Sequence, residues 1–95
     1  MITINAILKA KPDKESLLLE ELKKMVHPSC NEEGCIEYRL HKSLQDSGTF
    51  VLYETWENEE ALRLHVETDH YKSYRKNIAN LLDVREVYRL EEVLP

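Results

Sequence analysis

Phe50-Val51-Leu52-Tyr53-Glu54-Thr55-Trp56 alternates its side chains with a period of two. Phe50, Leu52, Glu54 and Trp56 share one face, and Val51, Tyr53 and Thr55 share the other. Aromatic and β-branched residues in that period specify a strand, here Thr49 to Trp56. Bulky groups on both faces mark it as a central strand.

Upstream, Gln45 to Gly48 is a polar hairpin connection with Asp46 and Gly48 as turn residues. It leads back to a strand from Cys35 to Leu44, with Ile36, Tyr38 and Leu40 on one face. Asn31-Glu32-Glu33-Gly34 is a turn. Before it, Leu18, Leu22 and Met25 form the inner stripe of a helix to about Val26. His27-Pro28-Ser29 is expected to end that helix, because proline disfavours α geometry in the residue before it. Met1 to Ala10 is a further strand. Ile2, Ile4, Ala6 and Leu8 point one way, and Thr3, Asn5, Ile7 and Lys9 the other.

Downstream, Asn58 is a helix cap, with Glu59 and Glu60 suited by charge to the first turn. Ala61, Leu62 and His65 share a face of that helix. Thr68 caps a second helical segment with a stripe of Tyr71, Tyr74, Ile78 and Leu81. Val84 to Val93 reads as the last strand, and charges at Glu86 and Arg89 mark an edge or a subunit contact. The order strand, helix, strand, strand, helix, strand is the ferredoxin-like split βαβ arrangement, an α+β fold with helices on one face of an antiparallel sheet. The other face also carries bulky apolar residues. A second copy of the chain, forming a homodimer, is the expected cover.

The 95 residues form one domain, 1–95, with a net charge of -5. That charge disfavours nucleic acid and anionic membranes as partners. The two cysteines, Cys30 and Cys35, lack the spacing of a redox or zinc motif. They read as thiols in a reducing interior, with Cys30 in a loop and the more reactive. The strand-like start has no signal-peptide run, so the cytoplasm is the expected location.

Three residues carry the chemistry. Trp56 is the only tryptophan and ends the central strand on the face of Glu54. His65 lies on the helix that follows. A strand end and the inner face of its successor helix can meet, giving a pocket with an acid, a base and a flat wall for an aromatic ligand. His70 is a second base candidate, at a helix N-terminus that favours neutral imidazole. Asn5, Tyr38, His70 and Tyr74 are expected to contact substrate. The run His65 to His70 matches no metal motif, so no metal is expected. Neither a glycine-rich nucleotide loop nor a serine elbow is present.

Glu33-Gly34-Cys35, Tyr38, Leu40-His41, Phe50 to Trp56, Ala61, His65 and His70-Tyr71 together resemble the antibiotic biosynthesis monooxygenase (ABM) domain family. The resemblance implies a ferredoxin-like fold dimerised into an α/β barrel. It also implies a cofactor-independent monooxygenase acting on a small aromatic phenol or quinol with molecular oxygen. Family register places a pocket histidine at His65, a strand tryptophan at Trp56, the acidic strand residue at Glu54, a polar strand residue at Asn5 and the histidine before the second helical segment at His70; within it we read His65 as the base and Trp56 as the wall against the ring. A haem-degrading branch would carry tryptophan at 65 and histidine near 75, where this chain has His65 and Arg75. Another branch isomerises a phosphorylated carbonyl signal, autoinducer-2. Asp69-His70-Tyr71-Lys72 resembles that branch too, with Lys72 or Arg75 as its only nearby helix cations. A small-ligand-binding dimer without turnover is the remaining alternative.

Overall fold

The computed structural model describes residues 1–95. The elements run β1 (Ile2–Ala10), α1 (Glu15–Cys30), β2 (Cys35–Lys42), β3 (Thr49–Trp56), α2 (Glu59–His65), α3 (Asp69–Ile78) and β4 (Leu82–Leu90). The sheet order is β2-β3-β1-β4 and every pairing is antiparallel. This is the split βαβ arrangement, with β3 and β1 central.

The expected barrel is corrected. β2 and β4 are the two edges of an open sheet and do not pair with each other. With no pairing between those edges, the sheet of this chain is not closed into a barrel.

Alternation sets the two faces. Ile4, Ala6, Leu8, Phe50, Leu52 and Trp56 pack with Leu18, Leu22 and Met25 of α1 and with Tyr74 and Ile78 of α3. The β1–β3 register places Ile4 opposite Glu54 and Ile2 opposite Trp56, so Glu54 faces this interior. Asn5 lies opposite Tyr53 on one side and Tyr88 on the other, on the face away from the helices.

Two local features position the site. The first is the end of α1, which runs through Pro28 to Cys30 rather than stopping at Val26. Proline removes one N–H, but the last turn holds because Asn31 N–H reaches the His27 carbonyl and Glu32 N–H the Ser29 carbonyl at 3.1 Å. That extra turn carries the chain to Glu32. It also makes Cys30 a helix-terminal residue, with its thiol 3.5 Å from the Tyr38 carbonyl. Both cysteines are free thiols.

The second feature is Gly34, at φ +86, whose carbonyl accepts from Glu57 N–H at 2.8 Å. A Cβ there would stand 2.5 Å from Ala61 Cβ, so only glycine lets α2 lie this close to the turn before β2. The predicted caps are both present. Asn58 accepts from Ala61 N–H at 2.9 Å, and Thr68 from Tyr71 N–H at 3.2 Å. No helix is long and apolar enough to cross a membrane.

Candidate active site

His65 is the last residue of α2 and 2% exposed. Its backbone is fixed by the Thr68 hydroxyl, which donates to the His65 carbonyl at 2.7 Å. Its ring stacks on Trp56, centroids 4.4 Å apart and planes tilted by 37°, and meets Tyr71 edge-on at 5.1 Å. The Trp56 indole N–H donates to Glu54 Oε1 at 3.0 Å. Trp56 thus ties the carboxyl of one strand face to the imidazole above it.

Glu32 completes the arrangement. Its Oε2 lies 2.7 Å from His65 Nδ1 and 2.7 Å from His70 Nε2. An ionised carboxylate only accepts, so both imidazoles donate to it. That network assigns His65 the Nδ1–H tautomer and leaves Nε2 with its lone pair. The three groups form a set of metal-ligand type, their candidate atoms within 4.8 Å of one another. In this arrangement both N–H groups point at the same oxygen, Glu32 Oε2.

A cavity of about 180 Å³ opens beside these groups. Its floor is Ile4, Ala6, Leu52 and Glu54. Its walls include Tyr38, His65, Tyr71 and Tyr74, and Arg85, Val87 and Arg89 of β4 stand along one side. The volume is below the roughly 300–1,000 Å³ of drug-sized pockets. It suits one aromatic ring, not a haem macrocycle.

The electrostatics split the acid from the base. Burial pushes Glu54 up to about 7, only partly offset by the Trp56 hydrogen bond. Burial lowers His65, against the opposing pull of Glu32. Near neutral pH the cavity therefore holds a basic imidazole and a carboxyl able to carry a proton. Burial, and then the Glu54 charge, push the Tyr38 hydroxyl well above the ordinary phenol value. Burial likewise moves Tyr74 up to about 12 and the Cys35 thiol up to about 11. Tyr38 and Tyr74 are thus neutral hydroxyls here.

The sequence-predicted residues fall in four places. Glu54, His65, Tyr38 and Tyr74 line the cavity. Trp56 is wholly buried behind His65 and Glu54 and presents no surface to a ligand. His70 lies behind His65, across Glu32, outside the cavity lining. Asn5 is on the far face of the sheet, its Oδ1 buried without a partner. Sequence reasoning missed Glu32 and Arg85. Glu32 read as a turn residue, 33 positions from the histidine it meets. Arg85 sits on the strand whose charges were read as an edge, and only the register opposite Leu8 shows that it points inward.

The sequence profile of the family described as antibiotic biosynthesis monooxygenase matches residues 1–77. The Bacillus subtilis protein YcnE is 36% identical over 74 residues, 78% of each chain. Among solved structures, PA3566 from Pseudomonas aeruginosa superposes with a TM-score of 0.94 at 31% identity, covering 98% of this chain and 94% of the other. Rv0793 from Mycobacterium tuberculosis gives 0.92 at 30% identity, covering 99% and 96%. These likenesses support an oxidoreductase role of the monooxygenase type. With the profile spanning β1 through most of α3 and two solved relatives sharing the whole architecture, this chain belongs to the antibiotic biosynthesis monooxygenase family.

Proposed function

We propose that this chain is a cofactor-independent monooxygenase that oxidises a small aromatic phenol or quinol with molecular oxygen. The observation that carries this is the buried His65, held by Glu32 as the Nδ1–H tautomer at a cavity that also contains Glu54. His65 Nε2 takes the phenolic proton. The phenolate donates electrons to oxygen, and a C–O bond forms at a ring carbon to give a hydroperoxide. The O–O bond then breaks as that carbon loses its hydrogen as a proton. One oxygen atom stays as the quinone carbonyl, and the other leaves as water. Glu54 in its protonated form is the donor to the departing oxygen. The electrons come from the substrate, so the protein supplies deprotonation, orientation and an apolar cavity.

Oxygen uptake with a panel of single-ring quinols tests the proposal. One quinone formed per oxygen consumed, without hydrogen peroxide, is expected. Rearrangement of a phosphorylated carbonyl compound without oxygen uptake would favour isomerisation instead, and tight binding without product would favour a binding protein.

A homodimer is part of the same proposal. The face away from the helices carries Ile7 and Val51, half-buried, and Tyr53, Tyr88 and Leu90, exposed. Asn5 Oδ1 lies among them with no acceptor role fulfilled. A second copy packed on this face would bury the apolar groups and supply that partner. Sedimentation showing only monomer at micromolar concentration contradicts it.

A further inference from the structure

The chain has five arginines. Arg39, Arg63 and Arg89 pair with Glu37, Glu60 and Glu59. Arg75 and Arg85 pair with no carboxylate. Arg75 is exposed on α3, and its guanidinium donates to the Tyr71 hydroxyl at 3.2 Å. Arg85 is half-buried, enters the cavity, and reaches the same hydroxyl at 3.5 Å. Its Nε is closed off from solvent and has no acceptor.

A guanidinium N–H stripped of water and left without an acceptor is unfavourable. Glu54 attracts Arg85 by charge but makes no hydrogen bond to it; burial favours the neutral form of Glu54, and its Oε1 accepts from Trp56. Arg89 also lines the cavity but is neutralised by Glu59. One guanidinium without a carboxylate bonded to it therefore stands inside a mostly apolar cavity of a protein whose net charge is -5.

We propose that Arg85, with the Tyr71 hydroxyl beside it, is a carboxylate subsite, so that the ligand is a single-ring phenol or quinol bearing one carboxylate. The ring and hydroxyl rest on the proposed function, whereas the carboxylate rests on Arg85 alone. A carboxylate offers two coplanar oxygens to the guanidinium fork and one negative charge to its one positive charge. A phosphate dianion would leave charge uncompensated in this cavity.

Binding without turnover tests this. Under anaerobic conditions the wild-type chain is titrated with 4-hydroxybenzoate, its methyl ester and phenyl phosphate, read by calorimetry and by Trp56 fluorescence. The acid is expected to bind at least about tenfold more tightly than the ester, a difference of roughly 1.4 kcal/mol. Arg85→Gln is expected to bring the acid to the ester's level, and Arg85→Lys to keep part of the preference. Equal binding of acid and ester, an unchanged preference in a folded Arg85→Gln variant, or a tenfold preference for phenyl phosphate each overturns the carboxylate subsite. Oxygen uptake separates this from the proposed function. Acid-selective binding with no oxidation of any quinol sinks the oxidation and leaves the subsite. Oxidation of carboxylate-bearing and neutral quinols with equal KM, unchanged by Arg85→Gln, does the reverse.

Discussion

Glu32 Oε2 and His65 Nδ1 meet at 2.7 Å, joining the turn before β2 to the end of α2. The contact fixes which imidazole nitrogen is free. It also explains how a histidine lowered by burial can still stabilise the cation it becomes on taking a proton. Under the proposed function Glu32 acts through His65, as a positioning residue.

Glu32→Gln keeps the shape but removes the negative charge facing the imidazole. Turnover is expected to fall about 10–100-fold, in the range seen when a group that orients a catalytic or ligating histidine is lost. The acid limb of the pH profile, which titrates with His65, is expected to change as well. A variant with unchanged kcat and an unchanged pH profile contradicts the positioning role. His65→Gln is expected to lose more than Glu32→Gln, since it removes the base itself.

The pH dependence follows from the two opposed shifts. His65 must be neutral, and its pKa is lowered from 6.5, so activity is expected to hold down to below pH 6.5. Glu54 must carry a proton and sits at about 7, so activity is expected to decline as pH rises through that value. For stability the signs are separate. Protonating His65 favours the unfolded chain, so its contribution is present above pH 6.5 and is lost as pH falls through the lowered folded-state value. Ionising Glu54 also favours the unfolded chain, so stability is lost as pH rises from its unfolded value toward and past about 7. Glu54→Gln is expected to be more stable than wild type at pH 8, by up to about 3 kcal/mol, and to lose that advantage at pH 4. Denaturant melts at both pH values check it.

Trp56→Phe retains a ring beneath His65 but removes the N–H that bonds Glu54 at 3.0 Å. That hydrogen bond lowers the Glu54 pKa, so its loss raises it further. The alkaline limb of the activity profile is expected to move to higher pH. A limb that stays in place or moves down contradicts the assignment of Glu54 to it.

Gly34→Ala introduces a Cβ 2.5 Å from Ala61 Cβ at a backbone φ of +86. Both the clash and the strain oppose it, with an expected loss of about 2–3 kcal/mol. A fall in Tm of roughly 10 °C or more is the measured form of that loss. Adding Ala61→Gly is expected to recover the part due to the clash and not the part due to φ. A single variant that melts like wild type contradicts the tight approach of α2.

The fold was largely legible because its signals are local. Alternation along β1 and β3 separates the faces, and the side chains of Asn58 and Thr68 cap the helices that their positions predicted. The same alternation put Asn5 on the face opposite Ile4, which the structure shows, whereas family register had grouped it with the pocket. The α1 end was misplaced because proline is a strong local stop and tertiary packing of Met25 and Ser29 carries the helix two residues beyond it, to Cys30. At the site, Glu54, Trp56 and His65 were legible from one strand and its following helix. Trp56 stands behind the cavity rather than at its surface, a matter of depth that periodicity does not encode. Glu32 and Arg85 were not legible, because their roles come from contacts across the chain: Glu32 with His65 and His70, and Arg85 with Tyr71.

The most direct measurement is oxygen consumption at neutral pH by the wild-type chain and its His65→Gln variant, with single-ring quinols and a chelator present throughout. The account predicts quinone formation well above the spontaneous rate for wild type, one oxygen per quinone, and a fall toward background in a His65→Gln variant that still folds. Wild-type consumption no faster than the spontaneous rate across the panel, or a folded His65→Gln variant that turns over like wild type, would contradict it.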